Sequence, residues 1–242
     1  MKIKHVLLAA VLMGSLSATA KDYHYTTIPG DAMKTRIYTL DNGLTVYMSV
    51  NKEKPRLQAN IAVKTGSRND PAETTGLAHY LEHLMFKGTQ KFGTTDPAKE
   101  KPYLDEITRR YESYRKLTDP VQRKQAYHEI DSVSQLAAKY NIPNEYDKLM
   151  ASIGSQGTNA YTSNDVTCYV ENIPNNEIEN WAKVQSDRFQ NMVIRGFHTE
   201  LEAVYEEKNI SMASDNTKEF AALWKLLTPT HPYGTQTTIG EQ

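Results

Sequence analysis

Residues 76–89, which read GLAHYLEHLMFKGT, constrain the fold of this chain more than any other stretch. They contain His79, Glu82 and His83 in the spacing H-x-x-E-H. In a helix, side chains four residues apart stand one turn, about 5.4 Å, from each other on the same face. Two imidazoles at that separation can bind one zinc ion at Zn–N distances of about 2.0–2.1 Å, and the neighbouring carboxylate can act on a water molecule there. The alternative is a chance cluster of polar residues on a solvated helix face.

Apolar residues in the same stretch predict how this helix packs. A helical wheel places Leu77, Leu81 and Leu84 on a core face, opposite the two histidines and the glutamate. Thr74 and Thr75 stand just before the helix and can cap its first turn. We therefore predict a helix that packs through its leucines and carries the H-x-x-E-H motif on its polar face.

A zinc peptidase site also needs a third protein ligand and an open position for water. The candidate segment is TELEAVYEEKNISM, in which Glu200 and Glu207 lie two helical turns apart on one face. About 10.5 Å separates them along the helix axis, so only one can bind the metal directly, while the other can orient a histidine. The alternative is an acidic helix on the surface.

Patterns elsewhere predict an α+β fold, with a mostly antiparallel sheet and helices packed on one face. The alternation of apolar and polar residues in 36–50 predicts a hairpin, with Asn42 and Gly43 in a two-residue primed turn. Residues 57–63 predict a third strand, and the segment GTNAYTSNDVTCYVENIP predicts a second hairpin. Helices are predicted for NEYDKLMASIG, NNEIENWAKVQSDRFQN, HTELEAVYEEKNISMASD and TKEFAALWKLL, and no regular structure for the final TPTHPYGTQTTIGEQ.

Residues 96–142 are densely charged and contain two apolar series at helical spacing. Between the series, Asp119 and Pro120 supply a cap and a proline at a first helical position. We predict an antiparallel helical hairpin whose charges form a solvated face. Because the hairpin has its own apolar seam and begins and ends between the same neighbours, we expect it to be dispensable for the metal site.

Composition and the N-terminus restrict the partners and the compartment. The 242 residues carry a net charge of −1, which gives no electrostatic attraction for nucleic acid or an anionic membrane. The start, MKIKHVLLAAVLMGSLSATA, has a basic end, an apolar run too short to span a bilayer, and small residues up to Ala20. It predicts a Sec-type signal peptide at residues 1–20 and a periplasmic or secreted protein with no membrane association after cleavage. An uncleaved anchor is the alternative. Cys168 is the single cysteine, so no internal disulfide can form.

Three segments in this order resemble the pitrilysin family of zinc metallopeptidases, which includes insulin-degrading enzyme and the mitochondrial processing peptidase. They are the strand, loop and helix around H-x-x-E-H, the hairpin GTNAYTSNDVTCYVENIP, and the acidic helix ELEAVYEE. The resemblance implies that residues 21–242 form an N-terminal pitrilysin-like metallopeptidase domain, incomplete at its C-terminus, with a helical insertion at about 96–142. It also implies one zinc ion per chain.

The resemblance further implies a role for each matching residue. The implied zinc ligands are His79, His83 and Glu207, the general base is Glu82, and the acid behind the ligands is Glu200. The residues that match the substrate-binding edge strand are Asn159, Ala160 and Tyr161.

The implied activity is that of a zinc-dependent endopeptidase acting on peptides or unfolded protein segments. Enzymes of the family have a homologous second half, in the same chain or in a partner subunit, so we expect residues 1–242 alone to cleave poorly. Two alternatives are a non-catalytic subunit that acts as a structural or binding partner, and a truncated, inactive fragment. The presence of both histidines and of the two key glutamates argues against the non-catalytic subunit.

Overall fold

The computed structural model describes residues 23–240, and the chain divides into two compact units, Met1–Lys54 and Pro55–Gln242. The signal peptide predicted for residues 1–20 lies outside the described residues. Within them, no helix has the length and apolar character that crossing a membrane requires. The predicted α+β class is confirmed, since helices combine with strands whose described pairings are all antiparallel.

The first unit contains a three-stranded sheet in the order β1-β2-β3. Its strands are β1 (Tyr25–Thr27), β2 (Arg36–Thr39) and β3 (Thr45–Met48). The predicted hairpin therefore forms from β2 and β3, and the structure adds β1 before it.

The turn between β2 and β3 differs from the prediction. The Gly43 N–H donates to the Leu40 carbonyl oxygen at 2.9 Å, and the Asn42 side chain accepts the Leu44 N–H at 3.1 Å. Gly43 has a positive φ of +87°, whereas Asn42 does not. The connection is a three-residue loop with a left-handed glycine, so the predicted two-residue primed turn was wrong. The bond to the Asn42 side chain favours the longer loop.

A second three-stranded sheet lies in the second unit, in the order β4-β6-β5. Its strands are β4 (Arg56–Val63), β5 (Gln156–Thr162) and β6 (Thr167–Pro174). The central strand β6 is buried at its first three residues, alternates half-buried and buried residues after them, and pairs with both neighbours. On its outer side, β5 has no strand partner among residues 23–240, so the predicted second hairpin presents an edge.

Eight helices accompany the strands in the described part of the chain. They are α1 (Leu77–Leu84), α2 (Pro97–Tyr114), α3 (Pro120–Ala138), α4 (Glu145–Ser152), α5 (Ile178–Asn191), α6 (Phe197–Ala213), α7 (Asp215–Leu227) and α8 (Pro232–Thr235). The helices predicted from the pattern are confirmed. The short helix α8 corrects the prediction of no regular structure in the final segment, because the His231 side chain accepts the Tyr233 N–H and caps it.

The helical hairpin predicted in residues 96–142 consists of α2 and α3. Asp96 and Asp119 cap the two helices, accepting the N–H groups of Lys99 at 3.0 Å and Gln122 at 2.8 Å. At the base of the hairpin, the Thr95 N–H donates to the carbonyl oxygen of Tyr140 at 2.8 Å. The two ends of the hairpin therefore meet, as the pattern predicted.

The apolar core of the second unit has two clusters. Tyr80 and Leu84 of α1 pack against Val204 of α6, and a second cluster contains Phe92, Tyr146 and Met150. The first cluster joins the helix that carries H-x-x-E-H to the acidic helix, although the two lie far apart in sequence.

Arg188 of α5 is completely buried, which the apolar pattern of that helix does not indicate. Its guanidinium carbon lies 4.4–5.4 Å from the centroids of four aromatic rings, those of Phe86, Tyr146, Tyr169 and Phe189. Burial lowers the pKa of Arg188, while the electron-rich ring faces stabilise its cation. Helix α5 therefore packs against the rest of the unit partly through the Arg188 guanidinium, which lies among aromatic rings.

Candidate metal centre

The start of α1 is fixed by a carboxylate. Asp70 accepts the N–H groups of Gly76 at 2.7 Å and of Ala78 at 2.9 Å, which satisfies donors of the first turn. Gly76 is the cap residue and has a positive φ of +87°. A side chain there would come within 2.8 Å of the Ile239 carbonyl oxygen, so glycine suits both the backbone angle and the space. The prediction that Thr74 or Thr75 caps the helix was wrong, because the Asp70 carboxylate accepts these N–H groups instead.

Helix α1 is buried on more than its predicted core face. Leu84 is 3% exposed, as the helical wheel predicts, but Leu77 and Leu81 are 48% and 43% exposed, whereas Glu82 is only 7% exposed and both histidines are half-buried. The helix contacts α6 and β5, and Tyr80 and Leu84 supply apolar contacts with α6. The wheel assumes that apolar residues alone determine the buried face, and here a functional polar cluster shares that face.

Three potential ligand atoms converge between α1 and α6. The Nε2 atoms of His79 and His83 lie 3.3 Å apart, and a Glu207 carboxylate oxygen lies 3.8 Å and 3.5 Å from them, respectively. In an ideal tetrahedral zinc site with bonds of about 2.0–2.1 Å, ligand atoms stand about 3.3–3.4 Å apart. Two imidazoles and one carboxylate are also a donor set that zinc peptidase sites use. The residues that are present therefore fit a zinc ion.

Glu200 lies behind the histidines. Its carboxylate accepts the His83 Nδ1–H at 2.9 Å and also pairs with the Lys87 ammonium. This contact assigns the proton to Nδ1 and turns the Nε2 lone pair towards the ligand cluster. The hydrogen bond to Glu200 raises the pKa of His83. Burial acts to raise the pKa of Glu200, but the bonds from His83 and Lys87 outweigh it and lower that pKa.

His79 has a different environment from His83. Burial, followed by the nearby His83, lowers the pKa of His79 and so favours the neutral imidazole that a metal requires. Its Nδ1 is buried without a hydrogen-bond partner among the residues that the structure describes. His79 thus contributes its Nε2 to the cluster, held by packing rather than by a carboxylate.

Glu82 lies on the wall of a cavity of about 370 Å³. The cavity is bounded by α1, β5, Glu207 of α6 and residues 238–239. The Thr162 hydroxyl donates to Glu82 Oε2 at 2.5 Å and orients the carboxylate. The structure therefore brings the predicted base and two of the predicted ligands, His79 and Glu207, to one cavity.

The predicted substrate-binding residues lie on β5. Ala160 and Tyr161 line the same cavity, and Asn159 is the exposed residue just before them. Asn159 pairs with Val170 of β6, and a register shift separates it from Gln156, so the edge strand is irregular before the cavity and regular beside it. The edge strand β5 therefore lines the same cavity as His79 and Glu207.

Several residues of the site were not predicted from the sequence. Thr162 follows Tyr161 directly on β5 and bonds Glu82. Its position next to the predicted substrate-binding residues could have identified it as a residue of the site. Lys87 lies three residues after the end of α1, where helical spacing no longer applies, so no pattern indicated it. No pattern pointed either to Asp70, which bonds Gly76 six residues later, or to Ile239, which reaches the cavity from a distant part of the sequence.

The fold and this donor set together resemble metallopeptidases that hold a metal on an H-x-x-E-H helix. A family model described as Insulinase (Peptidase family M16) matches residues 45–100. The chain is 35% identical over 92 residues to an insulin-degrading enzyme homolog of Dictyostelium discoideum. It is 44% identical over 62 residues to mitochondrial-processing peptidase subunit beta of Neurospora crassa. These matches cover 38% and 26% of this chain, and 9% and 13% of the two relatives.

The crystal structure of pitrilysin matches 91% of this chain with a TM-score of 0.58 and 17% identity, and the match covers 19% of the pitrilysin chain. A likeness at this identity shows a pitrilysin-like fold. Together with the family model and the sequence matches, it shows that this chain resembles the pitrilysin and insulin-degrading-enzyme family. The resemblance predicted from the sequence is thereby confirmed.

Proposed function

We propose that this chain carries the metal-binding half of a zinc-dependent endopeptidase that hydrolyses peptides or unfolded protein segments. The observation that carries the proposal is the cluster of His79, His83 and Glu207. Two of these residues, His79 and Glu207, line one cavity together with Glu82 and residues of β5. The peptidases among the matched relatives support the same class of activity.

Each residue of the site has a distinct task in the proposed reaction. A bound zinc ion supplies Lewis acidity and lowers the pKa of a water molecule at the site. Glu82 takes a proton from the attacking water and delivers it to the leaving amine. The Thr162 hydroxyl holds that carboxylate in place. Glu200 fixes the orientation of His83.

The proposed substrate lies extended along β5 and extends the sheet by one strand. The unpaired N–H and C=O groups of β5 can bind a peptide backbone beside the cavity, near Asn159, Ala160 and Tyr161. Recognition of the main chain tolerates many side chains, which is why we propose peptides and unfolded segments as the substrate class.

We also propose that a homologous second half, in a longer chain or in a partner subunit, completes the enzyme. The matched segments span about a tenth of the length of the relatives, and one relative is itself named as a subunit. Helix α7 supports a further packing partner, because none of its residues is buried and Leu226 and Leu227 are largely exposed. Exposed apolar rows of this kind are typical of interaction surfaces.

For localisation, we propose cleavage after Ala20 and a periplasmic or secreted product. The basic start and short apolar run of residues 1–20 support this proposal. The expected N-terminal residue of the mature protein is Lys21, and N-terminal sequencing of the exported protein tests it. A product that still begins at Met1 would contradict the proposal.

The function is tested by metal content and peptide hydrolysis together. We expect one zinc ion per chain by elemental analysis of protein purified without chelator, and cleavage of an unstructured fluorogenic peptide by the full protein. Removal of the metal by a chelator should abolish cleavage, and added zinc should restore it. Protein that folds but holds no zinc contradicts the metal site, and zinc without cleavage in the full protein favours the non-catalytic subunit.

A further inference from the structure

The α2–α3 hairpin contacts the helix that carries Glu200 and Glu207. The Tyr111 hydroxyl of α2 hydrogen-bonds His198 Nδ1 at 3.0 Å, and the rings of Tyr111 and Phe197 are 4.9 Å apart. From α3, the ring of Tyr127 lies 4.3 Å from that of His198. His198 is buried by these contacts, so both helices of the hairpin touch the first turn of α6.

A buried ion pair ties the hairpin to the same place. Glu100, in the first turn of α2, accepts two contacts from Arg195 Nε at 2.7 Å and 2.9 Å, and both side chains are buried. Arg195 immediately precedes the cap residue of α6. Its remaining donors reach the carbonyl oxygens of Thr89 at 2.6 Å and Lys87 at 3.3 Å, in the loop after α1. One arginine therefore links the hairpin, the loop after α1 and the start of α6.

The start of α6 also contacts α1. The Tyr80 hydroxyl donates to the Phe197 carbonyl oxygen, and the two rings lie 5.1 Å apart. Further along α6, Val204 packs on α1. Packing at Val204 fixes one point of the helix, and a second fixed point at its first turn determines the direction of the helix axis.

That direction matters at Glu207. This residue lies three positions after Val204, about 4.5 Å along the axis at 1.5 Å per residue. If the helix pivots at Val204, a tilt of about 5° moves Glu207 by about 0.4 Å, which exceeds the tolerance of about 0.2 Å on metal–ligand distances. Among the ion pairs of the described residues, those of Glu207 are with the two histidines, at 3.5 Å and 3.8 Å. Its position thus depends on the path of the helix.

We propose that the α2–α3 hairpin is a brace that sets the direction of α6 and so places Glu207 at the metal site, with Tyr111 and Glu100 as positioning residues. The inference rests on the proposed function, because zinc binding is its main readout. It replaces the expectation from the sequence that the hairpin is dispensable for the metal site.

The test compares Tyr111→Phe with Tyr114→Phe in the full protein. Both variants lose one hydroxyl on α2, but the Tyr114 hydroxyl bonds Arg123 inside the hairpin, at 2.9 Å, and does not contact α6. We expect Tyr111→Phe to weaken zinc affinity about three- to tenfold, measured by chelator competition, and Tyr114→Phe to change it less than about twofold. The absorption spectrum of the cobalt-substituted protein should change in Tyr111→Phe alone. A general loss of stability would affect both variants alike.

A second pair of variants addresses the ion pair. Glu100→Gln weakens the contact with Arg195, whereas Glu129→Gln weakens a hairpin contact with Arg110 that does not involve α6. We expect reduced zinc affinity only for Glu100→Gln. If Glu100→Gln does not fold, the comparison of Tyr111→Phe with Tyr114→Phe tests the brace by itself.

Hydrogen exchange in the metal-free protein tests the brace without relying on zinc binding, and so independently of the proposed function. We expect faster exchange of the α6 amides in Tyr111→Phe than in Tyr114→Phe, with α5 unchanged. If the unaltered protein binds zinc and both tyrosine variants bind it equally, the brace is overturned and the metal site stands. If the unaltered protein binds no zinc, the metal site fails, and α6 exchange alone supports or overturns the brace.

Discussion

Glu206 and Glu207 are neighbours in sequence with different surroundings. The Glu207 carboxylate faces the two histidines, whereas Glu206 is exposed and accepts a hydrogen bond from Asn209 of the same helix, at 3.5 Å. We predict that Glu207→Gln lowers zinc affinity by more than about 100-fold, above the range for residues behind the ligands, and that Glu206→Gln leaves it unchanged. Isothermal titration with zinc measures both. Equal affinities in the two variants would remove Glu207 from the ligand set.

Glu82 is placed to act on protons rather than to bind the metal. Its Oε2 accepts the Thr162 hydroxyl, and the residue lines the cavity beside the ligands. We predict that Glu82→Gln keeps one zinc ion per chain and lowers peptide turnover by about 100- to 10,000-fold, because glutamine cannot accept the proton. Elemental analysis and a peptide assay of the full protein measure the two effects, with Glu206→Gln as control. Near-normal turnover in Glu82→Gln would show that another group is the base.

The sequence predicted the chemical residues of the site better than their packing. The H-x-x-E-H spacing and the seven-residue interval between Glu200 and Glu207 depend on helix geometry, which sequence expresses directly. The burial of Glu82 and the exposure of Leu77 could not be predicted in this way, because they depend on the contacts of α1 with α6 and β5. Arg188 shows the same limit, since its aromatic surroundings come from distant parts of the chain.

At the scale of elements, β5 supplies a strand edge beside the cavity. Successive backbone amides of an extended peptide point to opposite sides, so only alternate ones can bond β5. We predict that a substrate peptide N-methylated at one set of alternate residues binds at least about tenfold more weakly, while methylation of the other set is tolerated. Competition against a cleavable peptide measures both. Similar inhibition by the two peptides would exclude binding by strand addition.

The helical hairpin was predictable as an element but not as a contact surface. Asp96 and Asp119 are local caps, and the pattern placed both helices correctly. The contacts of Tyr111 with His198 and of Glu100 with Arg195 join residues about 90 positions apart, which no local pattern expresses. The many charged residues of the hairpin predicted a solvated face. They gave no indication that another side of the hairpin is buried against α6.

At the scale of the whole molecule, we expect metal binding to need only this chain, whereas efficient catalysis needs the homologous second half as well. We predict that residues 1–242 alone bind one zinc ion but cleave unstructured peptides at least about 100-fold more slowly than a molecule that includes the homologous second half. The physical reason is that misplacing a substrate by about 1 Å can cost roughly that factor. The two proteins are assayed with the same peptides at equal zinc occupancy. Equal rates would show that no second half is needed.

The distances in sequence between the joined parts also determine when the site can form. His83 and Glu200 are 117 residues apart, and Arg195 meets partners 95 to 108 residues before it. Contacts over such separations form later than local helices, because a long loop must close first. We therefore expect helices to form before the zinc ligands come together when the chain refolds. Zinc uptake during refolding should lag behind the appearance of helix, and its rate reports the final assembly of the fold.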